Sequence, residues 1–274
     1  MALFHRCRYR LYRPFLLSAD VPYFAAFCRL RYNGHSRILP LAAATKYSMT
    51  FLEGKTMKLI TTDDGSNTVL IPSIGETYHS TFGAIQESEH VFIEAGLRLC
   101  SKKRLTLLEV GFGSGLNAYL TMIYAINNDL EVHYHTVERY PIDDALVSEL
   151  NFVSRYGRAD EFASLHRAEW NAEVRINDRF FITKHLADFT AMDRLPQFDV
   201  CYFDAFSPDK QPEMWALDRF ELLYRYAEDE AILTTYCAKG QVRRNMQQAG
   251  FVVERIQGAK GKREMLRAKK TVVK

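Results

Sequence analysis

The chain has 274 residues, 47% hydrophobic and 25% charged, which is enough for one large domain with its own core and too evenly mixed for a disordered or fibrous protein. No apolar run approaches the roughly 20 residues that span a bilayer. The five cysteines, Cys7, Cys28, Cys100, Cys201 and Cys237, contain no C-x-x-C pair, which argues against a zinc site or a disulfide framework and for a reducing, cytoplasmic compartment. The net charge of +3 is unevenly spread: residues 1–56 hold nine Lys or Arg against two acids (+7), and the other 27 bases face 31 acids (−4).

Residues 1–56 begin with Arg6, Arg8, Arg10 and Arg13, and their apolar stretches are broken by Asp20, Pro22 and Arg29, too often for a secretory h-region. An Arg-rich, acid-poor front also resembles a transit peptide or a nucleic-acid-binding arm. Met57-Lys58-Leu59-Ile60 reads as a second plausible start, so 1–56 is expected to be a basic extension, over-extended or poorly ordered, ahead of a globular domain at 57–274. Asp64-Gly65 with Ser66 predicts a tight hairpin turn between two short strands. Tyr78-His79-Ser80 is polar and aromatic, either a satisfied surface turn or part of a site. Residues 87–99 read as a helix entering the first core strand.

The central stretch is 105–117. An apolar strand meets Gly111, Gly113 and Gly115 on alternate positions before a helical pattern starts at Leu116. Glycine tolerates positive φ and lets a ligand approach the backbone, and a helix start offers unpaired N–H groups. The G-x-G-x-G spacing departs from the G-x-G-x-x-G of dinucleotide folds. Glu109, two residues before the first glycine, suits a cationic ligand such as the methionine end of S-adenosylmethionine (SAM) better than a pyrophosphate. An ordinary strand-to-helix turn would account for the glycines alone.

A helix at 116–126 leads to a strand at 132–137 that ends in Glu138, 23 residues past the last glycine, where nucleotide-binding α/β folds place an acid on the ribose hydroxyls. His133 and His135 read as face-filling residues rather than metal ligands, and no metal site is expected. A helix at 142–155, opened by Pro141, precedes a strand at 180–182. Just beyond it, Asp188 is either an adenine contact or a helix N-cap. The strand 198–204 ends in Asp204, with Pro208 and Pro212 shaping the loop that follows. Ligands of open α/β sheets bind outside the carboxyl ends of the strands, so Asp204 points at the chemistry. A helix at 213–227, a strand at 231–236, a helix at 239–249 closed by Gly250, and strands at 251–256 and 263–268 complete the chain. Alternating strands and helices with a terminal hairpin imply an α/β fold, a mostly parallel sheet with an antiparallel edge strand.

Five separated segments, Glu76-Thr-Tyr-His-Ser, Gly83-Ala-Ile-Gln-Glu-Ser, Gly111-Phe-Gly-Ser-Gly-Leu-Asn117, Phe203-Asp-Ala-Phe-Ser-Pro-Asp-Lys-Gln-Pro-Glu-Met-Trp215 and Gly261-Lys-Arg-Glu-Met, resemble the MnmC-like tRNA methyltransferases, over roughly residues 61–268. The resemblance implies a Rossmann-like, SAM-dependent enzyme that converts 5-aminomethyl(-2-thio)uridine at the tRNA wobble position to its 5-methylaminomethyl form. Many members are fused to a flavin-dependent oxidase. This sequence has no second glycine-rich turn, so a stand-alone methyltransferase without flavin is expected. By resemblance, Glu109, Gly111, Gly113, Gly115 and Asn117 form the methionine side of the SAM pocket, Glu138 holds the ribose and Asp188 the adenine. Asp204, with Phe206 and Pro208, faces the acceptor amine, and Tyr78, His79 and Ser80 close over the pocket. Lys210-Gln211-Pro212 stands where the family's loop has Lys-Asn-Pro.

A free amine attacks the sulfonium methyl readily once aligned. An alkylamine like that of lysine has a pKa of about 10, however, and is mostly protonated at neutral pH; Asp204 is expected to orient its lone pair and help pass on the proton. Lys210, Lys260 and Lys262, with Lys239, Arg243, Arg244 and Arg263, are candidates for tRNA phosphates, and Tyr78, Phe206 or Trp215 for stacking on an everted base. The alternatives are a methyltransferase for another amine, a nicotinamide dehydrogenase, disfavoured by the glycine spacing, and an idle RNA-binding module. The sequence leaves the oligomeric state open.

Overall fold

The computed structural model describes residues 27–32, 35–40 and 57–271, and the chain divides into two units between residues 54 and 55. In the first unit, β1 (Phe27–Tyr32) and β2 (His35–Pro40) pair antiparallel, from Phe27 opposite Pro40 to Tyr32 opposite His35. Otherwise the expectation for 1–56 falls on residues outside those described.

The second unit starts with a small antiparallel sheet of β3 (Lys58–Thr61), β4 (Asn67–Ile71) and β5 (Glu76–Thr77). The expected turn between β3 and β4 is held by Asp64, whose Oδ1 accepts from Thr62 Oγ1 and from the Ser66 backbone N–H. Where one helix was expected over 87–99, α1 (Ala84–Ser88) runs into a π-helical stretch, Glu89–Glu94, and a 3-10 turn, Leu97–Leu99.

Eight strands form the main sheet: β6 (Arg104–Val110), β7 (Glu131–Glu138), β8 (Glu173–Asn177), β9 (Phe180–Leu186), β10 (Phe198–Phe203), β11 (Ala227–Thr235), β12 (Val252–Gln257) and β13 (Glu264–Lys269), in the order β12-β13-β11-β10-β6-β7-β9-β8. The five strands β9, β7, β6, β10 and β11 are parallel. The terminal hairpin inserts β13 antiparallel between β11 and β12, so the antiparallel strand lies one place in from the edge. β8, which pairs antiparallel with β9 at the far edge, has no counterpart among the expected elements.

The helices are α2 (Leu116–Asn128), α3 (Asp144–Ser148), α4 (Val153–Tyr156), α5 (Ala159–Arg167), α6 (Leu217–Tyr226) and α7 (Gly240–Gln248). The single helix expected at 142–155 is broken because Asn151 turns outward to the β3–β4 turn. Its Oδ1 accepts from the Asn67 N–H at 2.8 Å, and its Nδ2 donates to the Gly65 carbonyl at 2.9 Å. α5 buries only Phe162 and Leu165, too few apolar positions to announce a helix in the sequence.

Strands buried on both faces read as continuous apolar runs. In β6, Leu105 and Leu107 enter the core layer shared with α2, while Leu108 and Val110 enter the layer shared with α6 and α7. From β6 the chain passes to β7 on one side and later returns to β10 on the other. That reversal opens a crevice beyond the carboxyl ends of β6 and β10, the place where such sheets bind ligands.

Candidate active site

The glycine loop fills this crevice because nothing larger fits. Gly111 has φ +99°, and a Cβ there would lie 2.6 Å from the carbonyl oxygen of Asp204, since the end of β10 crosses directly over it. Gly113 has φ +50°, with the Tyr78 ring 3.1 Å from where its Cβ would be. Gly115 then leads into α2, whose start has no side-chain cap. Glu138, at the end of β7, straps the loop down: Oε2 accepts from the Gly113 N–H at 3.1 Å and Oε1 from the Tyr140 N–H at 2.7 Å.

Two candidate carboxylates sit on adjacent strands in different surroundings. Glu109 is fully buried; Thr136 Oγ1 donates to its Oε2 at 2.8 Å, and burial holds its carboxyl well above the ordinary range. Asp204 is partly buried and takes a 2.8 Å hydrogen bond from Asn117 Nδ2. Burial first, and then the nearby charge of Glu87, push it up to about 7, against the pull of Asn117 and Lys262. Among the described residues the buried atoms Glu109 Oε1 and Asn117 Oδ1 have no hydrogen-bond partner, an incomplete polar lining on either side of the glycine loop in the chain. Acceptors without donors beside a cradle that excludes side chains fit the cationic methionine end of SAM.

The turn before α1 closes on this loop from above. His79, with only 8% of its surface exposed, places Nε2 2.8 Å from Ser114 Oγ, and burial lowers it to about 4, so it is neutral. Tyr78 meets Phe206 edge to face at 5.5 Å, and the Ser80 N–H donates to Glu87. The loop after Asp204 is equally fixed. The Phe206 N–H donates to Gln211 Oε1 at 3.1 Å, its carbonyl accepts from Trp215 Nε1 at 2.8 Å, and Ser207 Oγ donates to Glu76 at 2.9 Å. Gln211, the departure in the loop motif, thus supports the backbone of Phe206. Pro208 is half-buried and Lys210 exposed on the same loop.

Several sequence expectations are corrected. Trp215 is 2% exposed and packs on Phe203 and Tyr236, so its indole is framework and offers no stacking face. Asp188 takes the N-cap role that was one of its two expected readings, capping the 3-10 helix Phe189–Ala191 by accepting from Thr190 through Oδ1, and its Oδ2 pairs with Arg139. Lys262 turns inward to Glu87 at 2.7 Å rather than outward to phosphate; Lys260 stays exposed, 3.8 Å from Asp63. Glu76, Glu87, Arg139 and Tyr236 are residues of this region that local sequence patterns do not single out, since the groups they hold lie far off in the chain. Among the described residues no group of three or more His, Cys, Asp or Glu is placed to hold a metal, and no helix is long and apolar enough to cross a membrane.

Residues 159–271 match a protein family described as S-adenosyl-L-methionine-dependent methyltransferase. The tRNA 5-methylaminomethyl-2-thiouridine biosynthesis bifunctional protein MnmC of Burkholderia multivorans is 33% identical over 228 residues, 74% of this chain and 33% of that protein. Its counterpart from Azoarcus is 34% identical over 216 residues, 71% and 33% of the two chains. The chain therefore spans about a third of the length of these curated relatives. The solved structure of MNMC2 from Aquifex aeolicus shares the fold, with a TM-score of 0.66 at 23% identity over 85% of this chain and 86% of that one.

Proposed function

We propose, from the premise that the chain belongs to the S-adenosyl-L-methionine-dependent methyltransferases, that it methylates the amine of 5-aminomethyl(-2-thio)uridine at the tRNA wobble position, giving the 5-methylaminomethyl form. The observation that carries this reading is Asp204, held by Asn117 at the carboxyl end of β10 beside the glycine loop, where Tyr78 meets Phe206 edge to face. When bound, SAM supplies the electrophilic methyl group. Glu109, Asn117 and the loop from Gly111 to Gly115 would hold its methionine end, Glu138 its ribose, and Asp188 with Arg139 the rim on the adenine side.

The chain's own work on the acceptor is orientation and proton handling. An ammonium of pKa about 10 must give up a proton before its nitrogen can attack. Asp204, at about 7, is near the pH at which a base both remains ionised and takes a proton usefully. Its free lone pairs accept the amine's N–H, turning the nitrogen toward the methyl group, and it then carries the released proton toward water. The half-buried rings of Tyr78 and Phe206 are the aromatic surfaces offered to an everted base, and exposed Lys210 and Lys260 are cations available to its phosphates. Such an enzyme works where tRNA is, in the cytoplasm.

The test is transfer of labelled methyl from SAM to tRNA from a strain lacking the gene, followed by nucleoside mass analysis. Gain of 5-methylaminomethyluridine at the expense of the aminomethyl nucleoside is the expected result. SAM binding without labelled tRNA would transfer the reading to another amine acceptor.

A further inference from the structure

Two motifs have no part in the chemistry above, Gly83-Ala-Ile-Gln-Glu-Ser and Gly261-Lys-Arg-Glu-Met, and in the fold they meet beside Asp204. Glu87, 6% exposed on α1, accepts from Lys262 Nζ at 2.7 Å through Oε1 and from the Ser80 N–H at 2.6 Å through Oε2. The Lys262 ammonium also lies 4.2 Å from the centroid of the Tyr236 ring. The Tyr236 hydroxyl donates at 2.9 Å to the carbonyl of Ala205, the residue after Asp204. Just ahead of the first motif, the Phe82 ring lies against Gly261 of the second, so closely that it leaves no room for a Cβ there.

A lysine whose charge reaches a candidate base is a potential ion-pair partner for it, and a carboxylate locked in that way is a poor base. Here the ammonium is engaged elsewhere, by a second carboxylate and an aromatic face. We propose, on the reading that this site methylates an amine, that Glu87 and Tyr236 hold Lys262 away from Asp204, making Glu87 and Lys262 positioning residues that keep Asp204 free to take the substrate's proton. The remaining titratable groups facing Asp204 are Glu109 from β6, Tyr134 from β7 and Tyr236 from the end of β11. Burial raises the Glu109 carboxyl and both phenols, disfavouring their charged forms, and the charges that act on Asp204 are those of Glu87 and Lys262.

The test is the pH dependence of kcat/KM for methylation of aminomethyluridine-containing tRNA, with SAM binding and thermal midpoint measured alongside. Glu87→Gln releases Lys262 to Asp204, and the acid limb should move down by about one pH unit with a several-fold lower plateau. Lys262→Met keeps the stem on Tyr236 and removes the charge, so the limb should move up by a similar amount. The double variant removes a neutral pair and should return the limb toward the wild-type position. Limbs that stay in place, or that move in the same direction in both single variants, overturn the inference while leaving the methyltransferase reading intact. If Glu87→Gln fails to fold, Lys262→Met decides alone. A wild-type chain that does not methylate this tRNA removes both readings together.

Discussion

The two halves of the crevice are built in different ways. The half between β6 and β7 is made largely of backbone: three glycines, an uncapped helix start and the strap of Glu138, all within residues 109–140. The half beyond β10 is made of side chains from distant segments: Glu76, Tyr78 and Glu87 from the front, Asn117 from α2, Asp204 to Trp215 from the following loop, and Tyr236 with Lys262 from the end. A backbone cradle tolerates sequence change wherever space remains and none where it does not. A side-chain cluster fails piece by piece.

The largest expected effect separates the two halves outright. Asp204→Ala should lower methyl transfer by about 10³-fold, within the usual contribution of a positioned base, while SAM affinity measured by calorimetry stays within a few-fold. Equal loss of binding and turnover would erase the distinction. Next comes Gly111→Ala, which drives a methyl group into the Asp204 carbonyl at an unfavourable φ. SAM binding should weaken at least about 10-fold and the thermal midpoint fall by several degrees. A binding-competent Gly111→Ala would show that the end of β10 yields, and the cradle would not be rigid.

Tyr78→Ala should raise KM for tRNA about 10-fold, the range for losing one stacking surface, with a smaller effect on SAM affinity. A gentler sharpening comes from pH. His79 is held neutral, at about 4 against an ordinary 6.5, so it disfavours the folded state once protonated. Its contribution is complete above about pH 6.5 and is lost as pH falls toward 4. The loss of thermal midpoint over that window should be smaller in His79→Gln than in the wild-type chain. The smallest effect is expected for Gln211→Asn, which restores the family's residue at the cost of reach to the Phe206 N–H. A two- to three-fold fall in turnover with unchanged SAM binding should be seen in steady-state assays.

How much of this was legible in the sequence follows the same division. The parallel core strands announced themselves, since burial on both faces produces unbroken apolar runs such as Leu105 to Val110. The positions of Glu138 and Asp204 were legible, because one ends its strand and the other follows directly after its strand at the sheet's carboxyl edge. Trp215 misled, since an aromatic residue in a polar loop looks like a stacking surface until the fold buries it against Phe203. Lys262 misled for the converse reason: a lysine in a glycine-flanked turn looks solvated, and its partner Glu87 is 175 residues away in the chain. The break between α3 and α4 was hidden as well, because Asn151 obeys the β3–β4 turn rather than its own helical neighbours.

By itself the sequence determined the α/β class, the glycine cradle and the acids that end its strands, because each depends on residues within about a dozen positions of one another and on burial patterns that local periodicity records. Only the tertiary structure decided which charges neutralise each other around Asp204, which aromatic side chains remain open, and where the terminal hairpin inserts its antiparallel strand. Those outcomes depend on contacts between segments far apart in the chain, and a side chain's partner, burial and ionisation are properties of that assembled neighbourhood rather than of the residue or its near neighbours.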